Sequence, residues 1–299
     1  MTLMSFSLAC VLTASANWRT IDFISDLHLQ ASETKTFGAW RAYMASSQAD
    51  ALFILGDLFE VWVGDDVLAG APAAQTASLR TGSAATPQNF TQPRSELNFD
   101  AQCAEVIRQA AQTRSIFVMH GNRDFLLGEA FATAADVTLL NDPTVLDLPG
   151  LRWLLTHGDA LCLDDHDYMA FRAQVRSAQW QNEFLARGLP ERQSIAAQLR
   201  AQSEARKTSG FIFGDLDQSS VAAWLETNQC ITMVHGHTHN PKDHPLPNGG
   251  RRIVLSDWDA MASPPRLEVF RLTKTLEGPA SGWVSERVSL LHSPEPQSI

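Results

Sequence analysis

The chain has no cysteine framework, no long apolar run and no excess of positive charge, and each absence removes a class of protein. Its four cysteines, Cys10, Cys103, Cys162 and Cys230, are scattered without a Cys-x-x-Cys pair, so neither a zinc ribbon nor a disulfide scaffold is legible and a reducing cytoplasm fits best. No apolar stretch approaches the roughly 20 residues that a membrane-spanning helix requires. The 33 Asp and Glu outnumber the 23 Lys and Arg, giving a formal charge of -10 over 299 residues. That balance argues against holding nucleic acid on a broad electrostatic surface, and an anionic substrate would have to meet local counter-charge. What is present is ordinary for a globular chain: 44% hydrophobic and 19% charged residues exclude disorder throughout. Ala14-Ser15-Ala16 after an apolar Phe6 to Leu12 superficially resembles a signal-peptidase site, but the first basic residue is Arg19. A secretory leader would start basic, so residues 1–19 read as an extension ahead of the first strand.

Thr20 to Ser25 and Asp50 to Leu55 are short β-branched and aromatic runs ending at Asp26 and Gly56-Asp57. Both read as buried strands with carboxylates at their C-terminal ends. Between them Phe37, Trp40, Tyr43 and Met44 recur at helical spacing within Thr36 to Ser47, so the two aspartates stand about one βαβ period apart. The rhythm continues with a helix over Phe99 to Gln112 and strands over Ser115 to Met119, Leu151 to Thr156 and Ile231 to Val234. Those strands end near Gly121-Asn122, at His157 and at His235. In open α/β sheets the C-terminal strand edge is where sites form. Arg252 to Leu255, Leu267 to Leu272 and Trp283 to Leu290 suggest a second, largely antiparallel set. The expected class is therefore α/β, a two-sheet layered sandwich with flanking helices.

Two stretches depart from this rhythm. Ala69 to Ser95 is rich in Ala, Thr, Ser, Gln and Pro and reads as a long surface insertion or a partly disordered loop, with its flanks covering 69–98. Tyr168 to Gly210 is helical in pattern and basic: Arg172, Arg176, Arg187, Arg192, Arg200, Arg206 and Lys207 stand against Glu183, Glu191 and Glu204. Tyr168, Phe171, Val175, Ala178 and Leu185 form an apolar stripe along it, and Pro190 suits the first turn of a second helix. From periodicity alone this is a helical hairpin whose stripe packs on the core.

The strand ends collect Asp26-Leu27-His28, Gly56-Asp57, Gly121-Asn122-Arg123-Asp124, His157-Gly158-Asp159 and His235-Gly236-His237-Thr238-His239. A single Asp after a strand is ordinarily a turn or cap residue, and His120, His166, His244 and His292 are read in that ordinary sense. Five of the nine histidines falling at successive strand ends is not what independent capping arranges. Oxygen and imidazole donors without a thiolate suit manganese, iron or zinc.

These blocks resemble those of the calcineurin-like metallophosphoesterase superfamily, D-x-H, G-D, G-N-[HR]-[DE], H-G and G-H-x-H, all present in order from Asp26 to His239. The resemblance implies two divalent ions. Asp26, His28, Asp57 and His239 would hold the first, and Asp57, Asn122, His157 and His237 the second, with Asp57 bridging and His235 outside both sets. Where Arg123 stands, most of the superfamily has a histidine cast as general acid. A leaving group that is itself a phosphate departs without a proton, so a fixed guanidinium favours a pyrophosphate bond.

The wider words, such as Ile54-Leu-Gly-Asp-Leu-Phe-Glu-Val-Trp-Val-Gly-Asp-Asp66 and His120-Gly-Asn-Arg-Asp-Phe-Leu-Leu-Gly128, are similar to those of the UDP-2,3-diacylglucosamine pyrophosphohydrolase family of lipid A biosynthesis. That resemblance covers most of Thr20 to Trp258. It implies manganese-dependent hydrolysis of the UDP sugar to UMP and 2,3-diacylglucosamine 1-phosphate, with Asp57, Asn122, Arg123 and His237 at the reacting centre. It further implies a core over 20–164 and 211–299, a helical cap over 165–210 forming an acyl chamber, and substrate contacts at Asn122, Arg123, Asp165, Ser203, Lys207 and His237. Association with the cytoplasmic face of the inner membrane follows from the lipid substrate, and neither nucleic acid nor a protein partner is implied. Ser203 to Gly210 aligns only with a one-residue slip, leaving Arg206 or Lys207 for the basic role. Asn240-Pro241 and Ser256-Asp-Trp replace the more common Arg-Pro and Gly-Asp-Trp. The competing readings are a generic metallophosphodiesterase or nucleotide phosphatase of the same superfamily, and a metal-free binding scaffold.

Overall fold

The structure is a computed structural model that describes residues 8–69, 98–208, 214–247, 249–275 and 282–292; for 202–208 it describes the backbone only. Residues 70–97, nearly the whole of the expected insertion, and the side chains of Ser203, Arg206 and Lys207 lie outside the described residues.

Strands β2 (Thr20–Ile24), β3 (Ala51–Leu55), β4 (Ser115–Met119) and β5 (Thr138–Leu140) run parallel in one sheet. Two antiparallel strands, β11 (Glu268–Lys274) and β12 (Trp283–Ser289), extend it beyond β2. The second sheet has the order β1 (Cys10–Thr13), β6 (Thr144–Leu148), β7 (Leu151–Leu155), β8 (Thr232–His235), β10 (Arg251–Val254) and β9 (Lys242–Pro245).

Side-chain alternation explains why the two sheets stack. Along β3, Ala51, Phe53 and Leu55 face the second sheet, while Leu52 and Ile54 face helices; β4 divides its residues in the same way. A strand buried on both faces needs an apolar residue at every position, and β3 has one. Phe23, Phe53 and Phe117, in register on adjacent strands, stack with centroids 5.2 and 4.7 Å apart. The outer face of this sheet is covered by α1 (Thr34–Ser46), α2 (Phe99–Ala111) and α3 (Glu129–Ala135), and that of the other sheet by α7 (Gln218–Thr227). The result is a four-layered α/β sandwich. Three further helices, α4 (His166–Val175), α5 (Ala178–Leu185) and α6 (Leu189–Thr208), lie in the chain between β7 and β8.

Three sequence expectations change. Residues before Thr20 are not merely an extension, because Cys10–Thr13 pairs in parallel with β6; the strand is mostly exposed, so burial imposes no apolar pattern on it. The late strands do not form a separate antiparallel sheet: β10 lies parallel to β8, and β11 and β12 join the first sheet. Strand patterns identify strands and leave their partners open. The single apolar stripe is also broken, since Arg176 and Ser177 separate α4 from α5 and Ser177 caps the new helix through Trp180 N–H. The turn rotates the second half, so Phe184 is buried and Leu185 is 43% exposed.

A buried ion cluster fixes β11 against β2. Asp22, fully buried, accepts both forks of the Arg271 guanidinium at 2.7 and 2.8 Å and the Tyr43 hydroxyl at 2.8 Å. Arg271→Ala should lower unfolding stability by about 3 kcal/mol, because the carboxylate loses its cation but keeps its burial. Urea denaturation measures this, and a loss under about 1 kcal/mol would put the pair among ordinary surface bridges.

Candidate metal centre

Five of the expected donors sit where L-residues rarely go. Asp26, His28, Asp57, His237 and His239 have φ between 46° and 67°, in the left-handed region. Each left-handed residue costs on the order of 1 kcal/mol, so the surrounding bonds must hold them there. Asp26 N–H donates to Gly56 O at 3.1 Å and His28 N–H to Asp57 O at 3.0 Å, stitching the loops after β2 and β3 together. The fully buried Asp124 accepts from Gly121 N and Leu58 N, both at 2.7 Å, and ties the loop after β4 to the same point. Glycine is obligatory where these loops touch: a Cβ at Gly121 would lie 2.1 Å from Asp57 Oδ1.

The donors converge from both sheets. Asp26, His28 and His239 form one compact group of potential ligand atoms, and Asp26, Asp57 and His157 another. Asp57 turns Oδ2 toward His28 Nε2 at 3.9 Å and Oδ1 toward His157 Nε2 at 3.8 Å. On the second side the Asn122 carbonyl oxygen is 3.1 Å from His157 Nε2 and 2.9 Å from His237 Nδ1. All seven expected ligands are thus in one place. His235 is fully buried beside Arg252 with Nδ1 at 2.8 Å from Gly236 O, outside both groups. His120 bonds Leu127 O, in keeping with its ordinary reading.

The chemistry of these donors fits a cation. His157 Nδ1 faces Leu55 O at 2.9 Å, and a carbonyl can only accept, so the ring's hydrogen goes there and a neutral ring offers the Nε2 lone pair to the centre. His28 and His239 bring their Nε2 atoms within 3.2 Å of each other while their Nδ1 atoms face Glu60 at 2.8 Å and Asp257 at 3.6 Å. Rings so placed can both turn an Nε2 lone pair to one shared cation. The local field says the same. Burial opposes charge on His157, yet Asp57, Asp26 and Asp159 raise its pKa to about 9. Burial likewise works to raise the Asp26 carboxyl, but the hydrogen bond and charge of His239, with His157 and His28, hold it well below the usual carboxylate range. Burial, and then repulsion from His157, lowers His237 to about 4. A field that draws a proton onto a fully buried imidazole is one that a divalent cation would satisfy. Oxygen and nitrogen donors without sulfur suit a borderline or hard ion.

Arg123 reaches this edge through its backbone, whose N–H donates to Asp57 Oδ1 at 2.8 Å, and its guanidinium lies 3.5 Å from Glu60. Beside it opens a cavity of about 340 Å³. Its lining combines the polar Asn122, Arg123, Glu60 and Asp165 with the apolar Trp62, Phe125, Phe171, Trp180, Phe184 and Leu199. Asp165 also caps α4 by accepting Tyr168 N–H at 3.0 Å.

Several residues of the site were not singled out by sequence. Asp159, fully buried, accepts Tyr168 OH at 2.6 Å and Arg172 Nε at 2.8 Å, which holds the Tyr168 ring stacked on His237 with centroids 6.1 Å apart. Arg176 donates to Gly121 O at 2.8 Å, next to Asn122. Arg192, only 2% exposed, joins α6 to Val63 O and Asp66. Glu60 contacts His28, Arg123 and Arg200. The available signal was the density of arginine in Tyr168 to Gly210, which in a buried setting demands carboxylate partners.

Residues 19–241 match the calcineurin-like phosphoesterase family. The chain is 41% identical to a UDP-2,3-diacylglucosamine hydrolase of Chromobacterium violaceum, over 80% of this chain and 90% of the relative. A protein of the same name from Cellvibrio japonicus is 40% identical, over 79% of this chain and 90% of its own, and one from Marinobacter nauticus 39% identical, over 79% and 88%. With the layered fold, the convergent donors and identity of this extent, the chain belongs to the calcineurin-like phosphoesterase family, in the group of the UDP-2,3-diacylglucosamine hydrolases.

Proposed function

We propose that the chain hydrolyses the pyrophosphate bond of UDP-2,3-diacylglucosamine, yielding UMP and 2,3-diacylglucosamine 1-phosphate for lipid A biosynthesis. The observation that carries this reading is the continuity of the donor cluster with the cavity: Asn122 belongs to both, Arg123 joins them by donating its N–H to Asp57, and most of the other lining residues are aromatic or aliphatic. A ligand filling that space has an anionic centre and an apolar extension, as a diacylated nucleotide sugar does. The relatives' names supply the same substrate.

In this reading Asp26, His28, Asp57 and His239 hold one divalent ion and Asp57, Asn122, His157 and His237 the other, with manganese the expected metal. When bound, such a pair supplies positive charge to the phosphoryl oxygens and lowers the pKa of a water. The chain's own residues do the rest. Asn122, Arg123 and His237 orient the pyrophosphate so that water approaches the α-phosphorus in line. The water gives up a proton to solvent as a new phosphorus–oxygen bond forms to its oxygen, the bond to the bridging oxygen breaks, and that electron pair leaves on the sugar phosphate. A phosphate leaving group with a second pKa near 6 needs no proton from the protein, which is why an arginine serves at position 123. Its guanidinium meets the charge that develops on the leaving oxygens.

The segment 165–210 acts as the cap over this chamber, with 20–164 and 211–299 as the core. Phe171, Trp180 and Phe184 receive acyl chains, and Asp165, Ser203 and Lys207 contact the sugar and its phosphate. Among the described residues no helix is long and apolar enough to cross a membrane. The lipid substrate would bring the chain to the cytoplasmic face of the inner membrane as a peripheral protein, although Arg172, Arg176, Arg192 and Arg200 are paired within the structure.

With manganese added, the purified chain should release UMP from UDP-2,3-diacylglucosamine in preference to UDP-N-acetylglucosamine or bis-p-nitrophenyl phosphate. Chromatography of the nucleotide products measures this; preference for either small compound defeats the lipid assignment, and full activity in excess chelator defeats the metal. Asp57→Asn should reduce turnover by about a thousandfold, or about 4 kcal/mol of transition-state stabilisation, because both ions lose a shared carboxylate. Arg123→Ala should lower pyrophosphate cleavage by about 10²- to 10³-fold. A loss confined to simple monoesters contradicts the cation role.

A further inference from the structure

His28 has two ring nitrogens, and something must decide which one carries the hydrogen. The backbone around it is fixed first. Leu29 N–H donates to Leu58 O at 2.9 Å and Glu60 N–H to Leu29 O at 3.2 Å, so the loops after β2 and β3 run as a short parallel pair closed by a Leu29–Phe59 bridge. This pair places the Glu60 side chain beside the ring. Glu60 Oε2 is 2.8 Å from His28 Nδ1, while Oε1 is 3.0 Å from Arg200 Nη2 on α6 and 3.5 Å from Arg123 Nη1.

The Glu60 side chain is 11% exposed, so it is not an ordinary solvated surface group. Two guanidiniums on one oxygen hold the carboxylate in place. The other oxygen lies within hydrogen-bonding distance of the buried Nδ1, whose N–H is turned off the line to it, and a small rotation of the ring completes the bond. A ring that donates from Nδ1 presents its Nε2 lone pair to Asp26, Asp57 and His239. We propose that Glu60 is a positioning residue of the metal centre, whose carboxylate selects Nε2 of His28 as the ligand atom and orients the ring toward the ion shared with Asp26 and His239. Partners of this kind raise ligand basicity as well as fixing the tautomer. Reach also matters: aspartate at position 60 would be one methylene short of spanning the ring and both arginines. The inference rests on His28 being a metal donor, but not on the identity of the phosphoester.

The test is titration of metal-free protein with Mn²⁺ in a calorimeter, without substrate, so that its outcome is independent of the assignment to UDP-2,3-diacylglucosamine. Two binding events are expected for the unaltered chain. Glu60→Ala should weaken one of them by about 10- to 100-fold and leave the other within about twofold, with an unchanged thermal transition in chelator. Glu60→Gln, whose amide oxygen still accepts from Nδ1, should recover part of the loss. Equal affinities in all three proteins, or equal weakening of both sites by Glu60→Ala, would overturn the proposal. Should Glu60→Ala fail to fold, imidazole ¹⁵N spectra of the unaltered zinc-loaded chain decide the point. A hydrogen on His28 Nδ1 supports the assignment, and a hydrogen on Nε2 refutes it.

Discussion

Everything at the centre depends on holding aspartate and histidine side chains in a backbone conformation that these residues avoid. A strand end in ordinary extended geometry would send successive side chains to opposite faces. The left-handed turn at Asp26, His28, Asp57, His237 and His239 instead turns neighbouring donors into one volume. The strain is local, and its compensation is spread over the molecule: bonds from the loop after β2 to that after β3, Asp124 clamping the loop after β4, and Gly236 N–H to His157 O across the second sheet. Because the sheets face each other across a packed aromatic layer, their C-terminal edges cannot drift apart, and the donors stay within reach of one another.

Charge is arranged on the same plan. The chain is acidic as a whole, yet the carboxylates nearest the centre are not spent on solvent. Asp159 takes Tyr168 and Arg172, Glu60 takes Arg123 and Arg200, and Asp257 takes Arg266 while facing His239. Burial works to raise the Glu60 carboxyl, but His28 and the arginines bring it down to about 2. Desolvation alone would neutralise such groups. Paired with arginines that include Arg172 of α4 and Arg200 of α6, Asp159 and Glu60 stay charged beside the donor cluster, where electrostatic interactions count most.

What the sequence revealed, and what it withheld, follows from the range of each interaction. The donor blocks are contiguous words at strand ends, so Asp26, His28, Asp57, Asn122, His157, His237 and His239 could be read one loop at a time. Strands β2, β3, β4 and β7 were legible because burial on one or both faces leaves apolar runs. Glu60 and Asp159 were in plain view within those words, but their significance depends on Arg200 and Arg172 in a different segment, and pairing of this kind has no local signature. Strands β1, β5 and β9 are largely exposed or half-buried, so burial imposes no apolar run on them as it does on the equally short β8 and β10, and membership of a sheet is decided by contacts such as Asp22 with Arg271 that join distant parts of the chain. The break at Arg176 and Ser177 was missed because a continuous apolar stripe and a turn with a serine cap differ by a rotation, not by composition.

Helices α4 to α6 leave the core just after the loop that carries His157 and return before the strand that leads to His237. Those two strands, β7 and β8, are hydrogen-bonded neighbours, so the intervening segment is anchored at both feet and contributes nothing to the register of the sheet. Its length and lining can therefore vary while the spacing of the donors stays constant. In the proposed reading the strand-end loops then carry the reaction, and the helices between them share with the core the shaping of the chamber for the substrate.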